Sequence, residues 1–363
     1  MRTRLIKISL IVFAVGLSCL AAAEGTIKLG MSTALSGPAQ EIGRQLKAGA
    51  ELHFNHYNKT KRPEQIAVEL ITLDDGYEPS KTVINARTLI YQHQVDALFG
   101  VMGTPTSFAI KAILEHSKVP LLMPYTGADF LQQPKTFSVF NLRASYDLEA
   151  QEIIRYLMDE QRLKRIGFLI QADEFGLTVE QSLTRALKRR GQTPVVITRF
   201  RRNTGDIAQA LNKAKEQGVD AIAMVGTYEP LAKFINQAQQ DNFHPYFATV
   251  SFAASNELYA RLNGAVDLLV TEVVPDPESC QAALCKQFRQ QASQANMLVN
   301  EQTFEGFLNA QMLTLAVQAC DSPIQAPCLL NALEQTLVTN KIIREVFMLA
   351  PEQKKLPVYR SFF

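Results

Sequence analysis

Apolar residues follow two alternating patterns along the first third of the chain. Short apolar runs, too short for helices, are typical of buried parallel strands: TIKLGMSTAL, IAVELITL, VDALFGV and VPLLM. Between these runs, apolar residues recur every three or four positions, which predicts amphipathic helices. In the helix predicted over 43–57 the apolar face consists of Leu46, Ala50, Phe54 and Tyr57. This alternation predicts an α/β fold with a doubly wound parallel sheet.

The same alternation starts again after an interruption at 137–147, with the strand-like runs RIGFLI, TPVVIT, DAIAMVG and PYFATV. A second interruption, DLLVTEVVP at 267–275, precedes three predicted helices without strands, at 282–294, 302–320 and 324–337. The tail LPVYRSFF is predicted as a last strand. We therefore expect two lobes: 24–143 plus 274–340, and 144–273 plus 341–363.

The length and the net charge of the chain bear on its domain number and on its possible partners. The chain has 363 residues, which suggests about two domains of ~150 residues each. Its formal charge of +2 includes Arg2, Arg4 and Lys7, which lie in a segment that we expect to be removed; 34 basic and 35 acidic residues then remain. A net charge near zero gives no indication of a nucleic-acid partner.

The first 23 residues have the pattern of a secretory signal peptide. A basic start precedes an apolar stretch at 8–15, and Ala21, Ala22 and Ala23 provide small residues for cleavage before Glu24. The apolar stretch is too short to span a membrane. Cys19 leaves lipid attachment open as an alternative, although the residues before it match that signal poorly. We expect an exported, periplasmic protein.

The expected mature chain has four cysteines, all in its last quarter. An even number in an exported chain suggests disulfides, and we favour the local pairs Cys280–Cys285 and Cys320–Cys328 over the other pairings. Free thiols remain an alternative. The spacing does not match a zinc site, and no bound metal is expected.

Two neighbouring strands are each followed by a loop with small and hydroxyl-bearing residues: Gly-Thr-Pro-Thr-Ser from 103 and Pro-Tyr-Thr-Gly-Ala from 124. Ligands of open α/β sheets bind beyond the carboxyl ends of the strands. The first loop begins a helix predicted from Thr104 to about His116, with Phe108, Ala109, Ala112 and Ile113 as its apolar face. Hydroxyls and free N–H groups at a helix start favour an anion, so these loops predict a site for a ligand carboxylate.

The sequence lacks four motifs that mark common enzyme classes. They are H-E-x-x-H, G-x-S-x-G, G-x-G-x-x-G and the P-loop pattern. We therefore expect no enzyme and no cofactor. An enzyme on the same fold stays an alternative that turnover of any ligand would favour.

Several segments in fixed order resemble the type I periplasmic solute-binding proteins of the leucine/isoleucine/valine-binding class. They are IKLGMSTALSGPAQEIGRQLKAGAELHFNHYN, LDDGYEPSKTVINARTLI, GVMGTPTSFA, VPLLMPYTGA, FNLRASY, RIGFLIQADEFG and VVPDP. The resemblance covers about residues 26–350. It implies two doubly wound Rossmann-like lobes joined by a three-crossing hinge, which close around a small ligand and pass it to an ABC importer.

The resemblance also implies which residues bind the ligand. In the first lobe it places Ile42 near the mouth of the cleft. It implies that hydroxyl groups of this lobe bind the ligand carboxylate and that backbone and hydroxyl groups bracket the α-carbon. In the second lobe it places an aromatic cover and two further strand-end loops. The implied site residues are Thr104, Thr106, Tyr125, Thr126, Gly127, Phe175, Thr227, Tyr228, Ser251 and Phe252, with Ser107 close by.

One departure from the family pattern concerns the ligand's ammonium group. Amino-acid binders carry a carboxylate on a second-lobe loop, where this chain has Ser251 beside Phe252. A buried ammonium without a charged partner costs several kcal/mol. Glu229 or Asp173 could replace the missing acid; otherwise the ligand is a carboxylate, an amide or an aromatic acid.

Other charged residues have structural interpretations. We interpret Arg143 as an interlobe ion-pair residue, Asp74 and Asp75 as part of a turn, and the run from Arg199 to Arg202 as solvated surface.

The sequence thus favours a monomeric periplasmic solute-binding protein that holds a small carboxylate-bearing ligand, an amino acid or a related compound, for an ABC transporter permease. The alternative is a sensing subunit that presents its ligand to a membrane receptor or sensor kinase.

Overall fold

The computed structural model describes residues 25–132, 134–350, 353 and 355–363. Two sheets form the centres of two lobes. The first has the strand order β2-β1-β3-β4-β5 and is parallel throughout. Its strands are β1 (Thr26–Thr33), β2 (Ala67–Asp74), β3 (Ala97–Phe99), β4 (Leu121–Leu122) and β5 (Val139–Phe140).

The second sheet has the order β11-β10-β9-β8-β6-β7 and is parallel except for β11, which pairs antiparallel with β10. Its strands are β6 (Ile166–Gln171), β7 (Ile197–Phe200), β8 (Ala221–Val225), β9 (Tyr246–Thr249), β10 (Leu268–Glu272) and β11 (Tyr359–Phe362). Two doubly wound α/β lobes, as predicted, are confirmed.

Helices alternate with the strands and cover both sheets. In chain order they are α1 (Gln40–Thr60), α2 (Pro79–Arg87), α3 (Thr104–Ala109), α4 (Lys111–Ser117), α5 (Tyr146–Arg155), α6 (Glu174–Lys188), α7 (Ala208–Glu216), α8 (Tyr228–Gln240), α9 (Ser255–Tyr259), α10 (Ala283–Gln294), α11 (Glu301–Val317), α12 (Ala326–Thr339) and α13 (Lys341–Val346).

Helix α1 confirms the hydrophobic pattern, because its predicted apolar face is buried: Leu46, Ala50, Phe54 and Tyr57. It packs closely on α11, where a side chain at Gly49 or Gly306 would overlap the backbone of the facing helix. The late helices therefore cover the first lobe, as the absence of strands among them suggested.

The predicted helix from Thr104 to about His116 is wrong in its continuity and in its buried face. The helix breaks at Ile110, which has φ −93° and ψ 0°, and starts again at Lys111. The break changes the helical phase, so Ile110 and Leu114 are buried while Phe108 is 48% exposed. Ala112 is also exposed. Predicted Ala109 and Ile113 are only partly buried.

Three crossings connect the lobes: after β5, after β10 and between α13 and β11. The sequence assigned 341–363 to the second lobe. In the structure α13 packs against α10 and α12, with the first lobe, and β11 belongs to the second sheet.

The two local disulfide pairings are confirmed. Cys280 is bonded to Cys285 at the start of α10, and Cys320 is bonded to Cys328 between α11 and α12. The expected signal peptide and Cys19 lie outside the described residues. Within the described part of the chain, no helix combines the length and apolarity that crossing a membrane requires.

Candidate functional site

The predicted site residues lie on loops that follow the carboxyl ends of strands in both sheets. Thr104 follows β3, Thr126 follows β4, Phe175 follows β6 and Phe252 follows β9. The two sets of loops face each other and touch. The ring of Phe252 lies 5.4 Å from that of Tyr125, centroid to centroid. The lobes are therefore closed on one another in this structure.

Two predicted hydroxyls meet in the first lobe. Thr104 Oγ1 and Thr126 Oγ1 are 2.7 Å apart and hydrogen-bonded. Thr126 Oγ1 also donates to the hydroxyl of Tyr146 at 3.2 Å and accepts from the N–H of Ala128 at 3.2 Å. Thr104 and Thr126 are fully buried. The two strand-end loops thus form one polar surface, as their positions predicted.

Thr106 and Gly127 have local structural tasks. The Thr106 hydroxyl donates to the carbonyls of Met102 and Gly103, so its proton is used at the start of its own helix. The Gly127 carbonyl accepts from the Tyr146 N–H at 2.9 Å. A Cβ at Gly127 would lie 2.5 Å from the carbonyl oxygen of Ala144, so glycine allows this loop to approach the first crossing.

Five aromatic side chains from both lobes form a continuous group, which we call the aromatic cluster: Tyr77, Tyr125, Tyr146, Phe175 and Phe252. The ring of Phe252 is at its centre, 4.6 Å from Phe175 and 5.6 Å from Tyr77. Tyr146 joins through Phe175 at 5.4 Å. Each ring is at most 1% exposed. The cluster therefore presents flat apolar walls to whatever the cleft encloses.

Sequence reasoning missed two members of this cluster. Tyr77 follows the Asp-Asp-Gly turn and has a left-handed backbone, with φ 61°, which directs its ring into the cleft. Its hydroxyl accepts a hydrogen bond from Gln171 of the second lobe at 3.3 Å. Tyr146 belongs to a segment that was interpreted only as a crossing. Burial raises the pKa of Tyr146 to about 12, so its phenol is neutral at physiological pH.

Thr227 and Tyr228 begin α8 and face the first lobe. The Tyr228 hydroxyl accepts from the N–H of Glu41 at 3.3 Å, next to Ile42, which the resemblance places at the mouth. The Arg261 guanidinium covers the Tyr228 ring at 4.4 Å. Tyr228 makes no ring contact with the aromatic cluster among the described residues. Ile42 itself is buried.

A buried charge network lies next to the aromatic cluster. The Arg143 guanidinium binds both carboxylate oxygens of Glu305, at 2.9 and 2.7 Å, and donates to the hydroxyl of Ser251. It also lies 4.0 Å from the centre of the Tyr125 ring. Burial disfavours its charge, but Glu305 and other neighbours raise its pKa overall. Arg143 thus connects first-lobe α11 to a second-lobe loop, which is consistent with an interlobe ion-pair residue.

Neither acid suggested as an ammonium partner is free. Glu229 is exposed and pairs with Arg261 at 3.3 Å. Asp173 caps α6 by accepting from the N–H groups of Phe175 and Gly176, and it pairs with Arg202 at 3.2 Å. Ser251 carries no charge to pair with an ammonium, and its hydroxyl already donates to Glu149 at 3.1 Å and accepts from Arg143.

Buried acids on the crossings were also missed. Glu149 accepts from the Ser251 N–H at 2.8 Å and from the Thr271 hydroxyl at 2.7 Å. Glu272 is 3% exposed, and burial together with the charge of Glu301 raises its pKa well above its usual range. In sequence these acids are far from the loops they support, so no local pattern could have indicated them.

Contacts between the lobes also occur at the rim of the cleft. Arg202 of the second lobe pairs with Glu78 of the first at 3.0 Å, and Asn203 Nδ2 donates to Glu78 at 2.7 Å. The prediction that Arg202 belongs to solvated surface is wrong, because its side chain is only 20% exposed; Arg201, at 78%, is solvated. Asp74 binds the N–H groups of Leu35 and Gly76, as a turn residue does.

Among the described residues, no group of three or more histidine, cysteine or carboxylate side chains could hold a metal ion. Two closed α/β lobes, three crossings and a polar, aromatic cleft between them define a two-lobed binding protein. The family model for periplasmic binding protein matches residues 26–356, and the chain belongs to this family. Its members bind substrates, so the chain is a binding protein and not an enzyme.

Curated relatives are distant in sequence. A Leu/Ile/Val-binding protein homolog from Brucella melitensis is 22% identical over 219 residues, which is 60% of this chain and 59% of the relative. A leucine-, isoleucine-, valine-, threonine- and alanine-binding protein from Pseudomonas aeruginosa is 18% identical over 68% of this chain and 65% of its own. The matches thus span less than two thirds of either relative.

Solved structures match over nearly the full length. A possible leucine/isoleucine/valine-binding protein from Rhodopirellula baltica is 30% identical, covers 94% of this chain and 96% of its own, and has a TM-score of 0.85. A branched-chain amino acid transporter substrate-binding protein from Streptococcus pneumoniae, solved with isoleucine, is 17% identical over 86% of this chain and 88% of its own, with a TM-score of 0.74. The second likeness concerns the fold alone.

Proposed function

We propose that this protein captures a small carboxylate-bearing ligand, an amino acid or a related compound, between its lobes and delivers it to the permease of an ABC importer. The observation that supports this most is that Thr104 and Thr126 of the first lobe lie in the same closed cleft as Phe175 and Phe252 of the second. Neutral hydroxyls can donate to a carboxylate, and rings can cover an apolar body.

The proposed ligand-binding residues are those predicted from the sequence except Thr106 and Gly127, with Tyr77 and Tyr146 added because they complete the aromatic cluster. Thr106 and Gly127 are proposed to shape the loops rather than to hold the ligand. Closure would shift the protein towards a form that the permease recognises, because ligand contacts made by both lobes exist only when the lobes are closed.

The protein is proposed to act as a periplasmic monomer, exported by a signal peptide over 1–23. The Pseudomonas aeruginosa relative is named for binding five amino acids, and the Streptococcus pneumoniae structure for a branched-chain amino acid transporter. A sensing subunit for a membrane receptor or sensor kinase is the alternative. An importer gene or a sensor-kinase gene next to this one would distinguish the two.

A thermal-shift screen of the mature chain with amino acids, carboxylates, amides and aromatic acids tests the proposal. A ligand at ~100 times its Kd adds about 2.7 kcal/mol, which is a rise of several degrees in Tm. Thr126→Ala should then weaken binding of the compound that shifts Tm most, by roughly tenfold for one lost hydrogen bond.

Thr198→Ala is the matched control, because Thr198 is a buried threonine that donates to the Phe168 carbonyl within the second sheet. It should reduce stability without changing affinity. Equal affinity of the wild type, Thr104→Ala and Thr126→Ala for a confirmed ligand would remove the basis for this site.

A further inference from the structure

The walls of the cleft are aromatic on both sides. Phe252 contacts Tyr125 and Tyr77 of the first lobe as well as Phe175 of its own lobe, with ring centroids 4.6 to 5.6 Å apart. A flat ring placed between them could make offset or tilted contacts with rings of both lobes, which is the arrangement that aromatic pairs prefer. Rings on both lobes thus favour an aromatic ligand body over a branched aliphatic one.

The carboxylates around the cluster already accept hydrogen bonds from groups of the protein. Asp173 accepts from two backbone N–H groups, Gln171 and Arg202. Glu149 accepts from Ser251 and Thr271, and Glu305 is paired with Arg143. An ammonium ion enclosed here would have to compete with these donors for a carboxylate, and a buried charge that lacks a partner is costly.

Glu272 is the acid in this region that has an unpartnered oxygen, Oε1, among the described side chains. Burial and the neighbouring charge of Glu301 raise its pKa well above the usual value. Burial thus disfavours the charged form of Glu272, which weakens it as a partner for a ligand ammonium.

Buried donors in the same region lack acceptors. The Tyr125 hydroxyl proton and the N–H of Arg143 Nε have no acceptor among the described residues, and the hydroxyl of Thr227 has no partner. The three side chains are at most 3% exposed. Buried donors without acceptors are rare in proteins and favour a ligand that brings oxygen atoms, to which Arg143 would offer its unpartnered Nε–H.

We infer that the ligand is an aromatic carboxylic acid without an ammonium group, and not an α-amino acid. This inference rests on the function proposed above and narrows it. In this proposal the aromatic cluster holds the ring and the hydroxyl and guanidinium N–H donors bind the carboxylate. The hydrogen bonds already made by the nearby carboxylates, and the burial of Glu272, disfavour the amino-acid counterpart.

Two pairs of compounds test the inference by calorimetric titration of the mature chain. 3-Phenylpropanoate and L-phenylalanine differ only in the ammonium group, as do 4-methylpentanoate and L-leucine. We expect 3-phenylpropanoate to bind at least ~100-fold more tightly than L-phenylalanine and roughly tenfold more tightly than 4-methylpentanoate.

Each other outcome has a definite meaning. Tighter binding of either amino acid than of its counterpart overturns the inference but leaves the proposed function intact. Equal binding of the two deaminated acids overturns the aromatic part. If none of the four compounds binds, the inference is wrong, whereas the proposed function is decided separately by the thermal-shift screen.

Variants connect the affinity to the aromatic cluster. Phe175→Leu should weaken the binding of 3-phenylpropanoate by roughly tenfold. Phe288→Leu is the matched control, since Phe288 is an equally buried ring that packs on Phe304 and Phe307 in the first lobe. It should leave the affinity unchanged although it also lowers stability. Equal affinities of the two variants would contradict the assignment.

Discussion

Replacing Glu305 by glutamine should destabilise the protein strongly, because it leaves the Arg143 guanidinium buried without its bidentate partner. The side chains of the pair are 2% and 6% exposed, and both carboxylate oxygens are bound. Removing one member of a buried pair costs about 3–5 kcal/mol. Glutamine keeps the shape and one acceptor, and Arg143 keeps Ser251, so we expect the lower end, about 3 kcal/mol.

For a lobe of ~150 residues this loss corresponds to a fall in Tm of about 6–12 °C. Thermal unfolding followed by circular dichroism measures it. Glu64→Gln is the control, because Glu64 pairs with Arg62 at 3.2 Å on the surface, with 60% and 73% of the two side chains exposed. A surface pair contributes at most about 1 kcal/mol. A Tm for Glu305→Gln equal to that of Glu64→Gln would refute the assignment of a buried, unscreened pair.

Three further predictions concern other parts of the molecule. Burial and His56 lower the pKa of His53 to about 3, so the stability present above pH 6.5 is lost as the pH falls, by about 3 kcal/mol at pH 4. In urea unfolding, His53→Asn should lack this pH-dependent loss. The variant His116→Asn, at an exposed histidine, should retain it. Glu78→Gln removes the ion pair with Arg202 at the rim, so the ratio of closed to open protein should fall roughly 3- to 10-fold and X-ray scattering should show a larger radius of gyration than for Glu64→Gln. Identical radii would contradict a closing role. Cys320→Ser with Cys328→Ser opens an eight-residue loop and should cost about 2 kcal/mol in urea unfolding; an unchanged midpoint would contradict this.

The sequence was most informative where a feature depends on neighbouring residues. The apolar face of α1 follows from spacing, and the positions of Thr104 and Thr126 follow from strands that end side by side. The same reasoning failed at Ile110, because a single non-helical residue shifts the phase of every later position.

Features that depend on distant residues could not be predicted. Glu305 lies 162 positions from Arg143, and Arg202 lies 124 positions from Glu78. Arg202 has the same sequence surroundings as solvated Arg201, but it pairs with Glu78 across the cleft and with Asp173 of its own lobe. Tyr77 was missed for another reason: its left-handed backbone, which sequence periodicity does not reveal, sets the direction of its ring.

A crystal structure of the mature chain with a compound selected by the thermal-shift screen tests the central claim most directly. The account predicts density between the lobes, with the carboxylate within hydrogen-bond distance of Thr104 or Thr126 and the body against Phe175 and Phe252. Density for the compound elsewhere, for example in the surface groove between His244 and Phe363, with the cleft unchanged, would contradict it.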